Sequence, residues 1–418
     1  MKTIKLFLAL VVVATLLIRC THDDAPDYSP TDPVDPEIGQ SLDTLLVKRF
    51  STAPVFDGDV DAVWSEARPL VNTAHVTSAG DRIITLNSSS NGDTSLEPTD
   101  LFDPYTGESY NYSLRGGHDG EYLYLLFEWE DNQDSRDRQS WYFDPTTSEW
   151  HGENKYANHL NDKFYEDKFA MMFPIKVNGA YPDGFAGGTC TATCHTNLTN
   201  PQPGEKVTRH YMANPNELVD LWHWKRNRNV LSQSVDDGYI QYEEDEGIAS
   251  ANGRKSDEGT GMYSTAKFTD PETGLSAPQY VIKNRENYYW ITDAEIANGT
   301  AQLVVDVAVD GVLTLENNEI IDPNLDLTAY SKGFGSKRFP SVTVNPGGAG
   351  NDFRSDTQVR AKHVGSGWQI EIKRKLNSGD PTDAIFVIGE EIPFGLSIFN
   401  NAAIAHGMSN FLTMRIEE

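Results

Sequence analysis

Apolar positions in this chain recur with a period of two, in short runs separated by Gly, Asn, Asp and Pro. Tyr122 to Trp129 is an aromatic-rich run bounded by Asp119–Gly120 and Asp131–Asn132. Lys168 to Ile175, Ala301 to Val309, Gly367 to Arg374, Phe394 to Phe399 and Phe411 to Ile416 repeat the pattern. A period of two sends side chains alternately to opposite faces, so these segments predict β-strands. Helical periodicity is scarce; Pro215 to Arg226 is the best short helical candidate. The stretches 76–118, 131–165 and 176–290 are poor in strand signal and are expected to be insertions carrying loops and the functional site. Many strands with turn signals and no regular helix between them predict a mainly β fold, an antiparallel β-sandwich with long loop insertions and a few short helices.

The N-terminal segment follows a different logic. Lys2 and Lys5 precede an apolar run from Leu6 to Ile18. A helix that crosses a bilayer needs about 20 apolar residues, so this run has the length of a signal-peptide core instead. Leu17–Ile18–Arg19–Cys20 resembles a bacterial lipobox, which implies that Cys20 is lipidated and that residues 1–19 are a signal peptide. Residues 20–45 are rich in Asp, Pro and Ser and predict an acidic linker between lipid and domain. The folded domain is expected over 46–418, exported and tethered as an outer-membrane or cell-surface lipoprotein that faces the periplasm or the exterior.

Charge narrows the partners. The chain has 418 residues and a formal net charge of -28. Nucleic acid and anionic lipid surfaces both need positive protein surface, so neither is an expected direct partner. With Cys20 lipidated, Cys190 and Cys194 remain as an isolated pair in an oxidising compartment.

That pair carries the sharpest local chemistry. Cys190-Thr-Ala-Thr-Cys194-His195 is one residue longer than the Cys-x-x-Cys-His run that attaches haem through two thioethers and ligates its iron through the His. The same residues also suit a local disulfide in a glycine-rich loop. Downstream stand His210, Met212, Trp222, His223 and Trp224. Histidine and methionine are the usual axial ligands of electron-transfer haem, and tryptophans wall such pockets. Calcium is a further candidate ligand, at Glu243 to Glu246 or at Asp57, Asp59 and Asp61, through carboxylates. No Gly-x-Ser-x-Gly, His-Glu-x-x-His or P-loop run is present, and no catalytic constellation assembles.

Several motifs, taken in order, resemble one family. Ala53 to Trp64 is similar to the opening strand and turn of DOMON domains and family 9 carbohydrate-binding modules. Within that group, the haem-binding domain of ethylbenzene dehydrogenase-type and dimethylsulfide dehydrogenase-type γ subunits fits best. The resemblance runs through Glu121 to Leu125, Asp167 to Phe173, the Cys190–His195 loop, Tyr211 to Lys225, and Gly367 to Leu376. It implies a single haem, b-type and non-covalent, held between a Met and a Lys or His. Met212 matches the Met position; His195, Lys373, Lys375 and His363 are the candidates for the second ligand. A c-type attachment through Cys190 and Cys194 stays open, and the non-covalent haem of the family favours a disulfide there. The implied role is electron transfer with a redox partner protein of the envelope, without catalysis by the chain itself. A non-catalytic carbohydrate-binding module on the same sandwich is the alternative; it requires an open platform of exposed aromatics. A domain that has lost its ligand and serves as a scaffold is a third.

Overall fold

A computed structural model of the chain describes residues 43–76, 84–85, 97–98, 107–153, 164–189, 212, 214–242, 253–333, 335–403 and 405–418. Cys20, Cys190, Cys194, His195, His210 and the Glu243–Glu246 run lie outside the described residues. The domain is organised by one long sheet of twelve strands. In chain order these are β1 (Thr44–Arg49), β2 (Leu70–His75), β3 (Ser109–His118), β4 (Tyr122–Glu130), β5 (Lys168–Pro174) and β6 (Leu218–Lys225). They continue as β7 (Asp236–Gln241), β8 (Arg254–Ser256), β9 (Gln358–His363), β10 (Gly367–Lys375), β11 (Glu391–Phe399) and β12 (Gly407–Ile416). The spatial order is β8-β7-β6-β5-β11-β12-β1-β3-β4-β10-β9, with β2 beside β3 and β12. All pairings are antiparallel except those of β1, which runs parallel to both β12 and β3.

The sheet folds over on itself, so inward side chains from its two halves meet in one core. Phe169, Trp222 and Trp224 come from one half, and Phe127, Trp129 and Trp368 from the other. Rings touch across the layers: Phe127 and Phe169 are 5.6 Å apart between centroids, and Trp224 and Trp368 5.1 Å. The expected strands at Tyr122, Lys168, Gly367, Phe394 and Phe411 are all present, within extended limits. The predicted sandwich with few short helices is therefore what the chain adopts.

Two expectations are corrected. The segment from Pro215 to Arg226 is not a helix; it contains β6. Seven of its eight residues are buried, so both faces of the strand pack, and the apolar/polar alternation that marks a half-exposed strand is lost. Nor are 76–118 and 176–290 mere insertions, because β3, β6, β7 and β8 of the main sheet lie within them. The true excursion is a set of small sheets drawn from 141–152 and 263–344. Their own core includes Trp141, Phe143, Trp150, Val304, Leu313 and Phe339.

Candidate functional site

The outward face of β5 and β6 is where the sequence candidates and the fold meet. Phe169, Met171 and Phe173 of β5 point into the core, which sends Lys168, Ala170 and Met172 outward. On β6, Trp222 and Trp224 enter the core, which sends Leu221, His223 and Lys225 outward. Register places Leu221 opposite Met172, His223 opposite Ala170, and Lys225 opposite Lys168. Met212, Phe185, Phe399 and Met408 complete an apolar patch on this outer side. Met212 is fully buried, and its backbone N–H donates to Gln241 O at 3.2 Å. Three of the chain's seven methionines thus share one patch. Thioethers fill irregular apolar space and are soft ligands for iron.

Small residues keep the floor of this face low. Ser397 of β11 pairs with Ala170, and Gly238 of β7 pairs with Leu221. A Cβ at Gly238 would stand 2.2 Å from Lys255 O in β8, so only glycine lets the two strands pair there. The rim is strained on one side. Thr189 and Phe411 have φ of 48° and 60°, in the left-handed region, and the Phe411 N–H donates to Thr189 Oγ1 at 3.3 Å. Phe411 sits where the β11–β12 register shifts, a bulge that turns Met408 outward. Thr189 and Met212 are the described residues on either side of 190–211, the segment that carries Cys190, Cys194, His195 and His210.

Polar groups enter this patch along one side. The His223 ring stacks on Phe399 at 5.8 Å, its Nδ1 accepts from the Arg254 guanidinium at 2.9 Å, and its buried Nε2 has no partner among the described residues. Burial, reinforced by Lys225, Arg254 and Lys168, pushes its pKa well below the ordinary histidine value. Lys168 is 2% exposed; its Nζ donates to Ala403 O at 2.9 Å and lies 4.0 Å above the Phe399 ring. Burial first, and then Arg228, pushes this ammonium well below the ordinary lysine value, toward the neutral amine. Lys225 is ion-paired to Asp236. Glu166 accepts from Arg228 Nε at 2.5 Å and from the Asn227 N–H at 2.7 Å. Burial opposes its ionisation, but Arg228 and Arg138 hold its carboxyl below the usual range. A strongly acidic chain has gathered a locally cationic face.

The other sequence candidates lie elsewhere. Trp222 and Trp224 do not wall this patch; they face the core from the opposite side of β6, where Trp222 packs on Phe173 at 4.7 Å. Lys373 is on the outer face of the other half of the sandwich, with its Nζ 4.3 Å over the Tyr122 ring. Lys375 is exposed on the same strand. Both rings nitrogens of His363 are engaged: Nε2 with Asp131 O at 3.0 Å, and Nδ1 with the Gly365 N–H at 3.3 Å. None of these three shares the Met212 patch. Of the acidic triplet, Asp59 pairs with Lys362 in solvent and Asp61 accepts from the Val55 N–H, so local contacts account for both. Lys168 was not singled out as a ligand candidate, and His223 only as one histidine of the run after Met212. Their one signal is a basic residue placed in register with apolar residues on a strand.

An open aromatic platform is not found among the described residues, where every Trp and Tyr is buried or half-buried. Among solved structures, the chain is similar to a family 9 carbohydrate-binding module from Caldicellulosiruptor kristjanssonii in complex with glucose. That match has 8% identity and a TM-score of 0.27, over 89% of this chain and 95% of that one. The same module in complex with cellotriose matches at 9% identity and a TM-score of 0.25, over 90% and 93%. Likeness at this level carries no weight for function. No protein with a curated description matches the chain. The profile of the family described as ethylbenzene dehydrogenase matches residues 61–410, nearly the whole folded domain, and the chain belongs to that family.

Proposed function

We propose that this protein binds one haem against the outer face of β5 and β6 and serves as an electron-transfer component of the cell envelope, anchored through Cys20. One observation carries the reading: Met212 is buried in an outward apolar patch that Phe399 continues to Lys168 and His223, and Met212 and Thr189 flank the segment bearing Cys190, Cys194 and His195. Family membership supports it.

The residues fit the group. Met212 would supply a thioether ligand, and Lys168, whose charged form burial disfavours, an amine nitrogen as the other. His223 is the weaker ligand candidate: Arg254 can only donate, so Nδ1 must accept, and the proton of the neutral ring is on Nε2. An Nε2–H without a partner suits a carboxylate acceptor such as a haem propionate, and Arg254 adds the complementary charge. Phe399, Met172 and Leu221 would exclude water from the iron. Haem itself supplies a one-electron iron couple, whose potential a methionine ligand raises relative to two nitrogens.

The test is an optical spectrum of protein exported in a haem-loading host. One haem per chain is expected, with a near-infrared charge-transfer band from the thioether in the oxidised protein. Lys168→Ala should alter the low-spin spectrum, and Lys373→Ala should not. Colourless protein that also fails to take up haemin would end the haem reading. Acid–acetone extraction then distinguishes attachment: haem released to the solvent means a non-covalent group, and haem retained on the chain means thioethers to Cys190 and Cys194.

A further inference from the structure

A second cluster lies on the inward side of the same strands and takes no part in the haem reading. Asp220 of β6, Asp237 of β7 and Asp383 in the loop after β10 each present a carboxylate oxygen within 4.8 Å of the others. They are 0%, 1% and 2% exposed. Each carboxylate is divided in the same way. One oxygen is held by the protein: Asp220 Oδ2 by the Ala384 N–H at 2.9 Å, Asp237 Oδ1 by the Gly238 N–H at 3.0 Å, and Asp383 Oδ2 by Arg374 at 2.6 Å. The other oxygen of each (Asp220 Oδ1, Asp237 Oδ2, Asp383 Oδ1) is buried without a hydrogen-bond partner among the described residues.

Bare buried carboxylate oxygens are costly unless something positive meets them. Arg374 is also fully buried, and it offsets one charge of the three. Asp257 stands close by, 5% exposed, with an unpartnered Oδ2 of its own. We infer that Asp220, Asp237 and Asp383 hold one calcium ion between them. All-oxygen, acid-rich coordination selects a hard cation, and calcium with its 2.3–2.6 Å contacts spans the observed oxygen spacing. Magnesium prefers shorter contacts and keeps several waters, for which a closed pocket of this kind is unsuited. The held oxygens orient the ligands, as outer-shell hydrogen bonds do at other metal sites.

One neighbour of the site, Ser378, lines a cleft, and the site has a structural task. A cleft of about 570 Å³ is lined by Lys373, Ser378 and Asp356 among others, and Ser378 donates directly to Asp383. Asp220 and Asp237 belong to one half of the sandwich, and Asp383 and Arg374 to the other. An ion there ties the two halves together.

The experiment uses the full exported protein, stripped with a chelator. Equilibration with calcium should restore one tightly held ion per chain by elemental analysis and raise the melting temperature by about 3 °C or more. Terbium should bind in its place and emit through excitation of Trp222, which lies 5.3 Å from the Arg374 guanidinium. Asp237→Asn should lose the ion and the emission, and Asp59→Asn should keep both. If Asp237→Asn does not fold, displacement of terbium from the unmodified protein decides: calcium must compete at least about tenfold better than magnesium. Absence of a bound ion after equilibration, equal competition by magnesium, retention of calcium by Asp237→Asn, or its loss in Asp59→Asn each overturns the assignment.

Discussion

The inward and outward faces of β6 come from alternating residues of one eight-residue strand, yet different forces organise them. Inward, away from Asp220 and its charged neighbours, Trp222 and Trp224 interlock with Phe173, Phe169 and Trp368, and shape complementarity dominates. Outward, Leu221 and His223 share space with methionines, a buried lysine whose charged form is disfavoured, and buried ion pairs. There, electrostatic balance sets what the face can tolerate. A strand buried on both sides can therefore carry two differently organised faces at once.

Substitutions on the two faces should separate these forces. Trp222→Ala removes a fully buried indole and should cost about 3–5 kcal/mol in denaturant unfolding. A loss below about 1 kcal/mol would show that the inner face is loosely packed. Glu166→Gln works through charge instead. It leaves buried Arg228 and half-buried Arg138 beside Lys168 and Lys225 without their carboxylate, and a loss of about 3 kcal/mol is expected. That loss should shrink in high salt far less than a surface pair would. Met212→Leu preserves volume and should cost less than about 1.5 kcal/mol, while erasing the near-infrared band of the haem-loaded protein. Survival of the band would move the thioether to Met172 or Met408.

The smallest expected effect is a slope in pH. His223 is held neutral in the fold, below its ordinary value of 6.5. Protonation therefore favours the unfolded chain, and the contribution of this residue to stability is present above about pH 6.5 and lost as pH falls below it. His223→Gln should flatten that part of the melting-temperature profile between pH 8 and 5. An unchanged slope would assign the effect to other groups.

Strands with continuous or alternating apolar runs and clear turns were legible in the sequence, as at Tyr122–Glu130 and Gly367–Lys375. The strand Leu218–Lys225 was not, because its buried positions mix Trp, His, Asp and Lys in a way that mimics helical spacing, whereas the equally buried Lys168–Pro174 is, after Lys168, a continuous apolar run. Met212 was legible as a candidate through family resemblance, and the structure gives it a buried place on the outer patch. Lys373 and His363 attracted attention as basic residues near a late strand, but sequence does not say which outer face a strand presents. The carboxylate triad was invisible for a simpler reason. Asp220 and Asp383 are 163 positions apart, and only the folding of the sheet upon itself brings them together.

Parallel pairing of β1 on both its edges bears on mechanics. Val47 is in register with Ile416 on one side and Gly116 on the other. A pull on the chain ahead of Thr44, directed along the strand, loads both ladders in shear, so their hydrogen bonds resist together instead of opening one at a time. This strand is thus built as a clamp against tension, set in the interior of the sheet where no single bond carries the force.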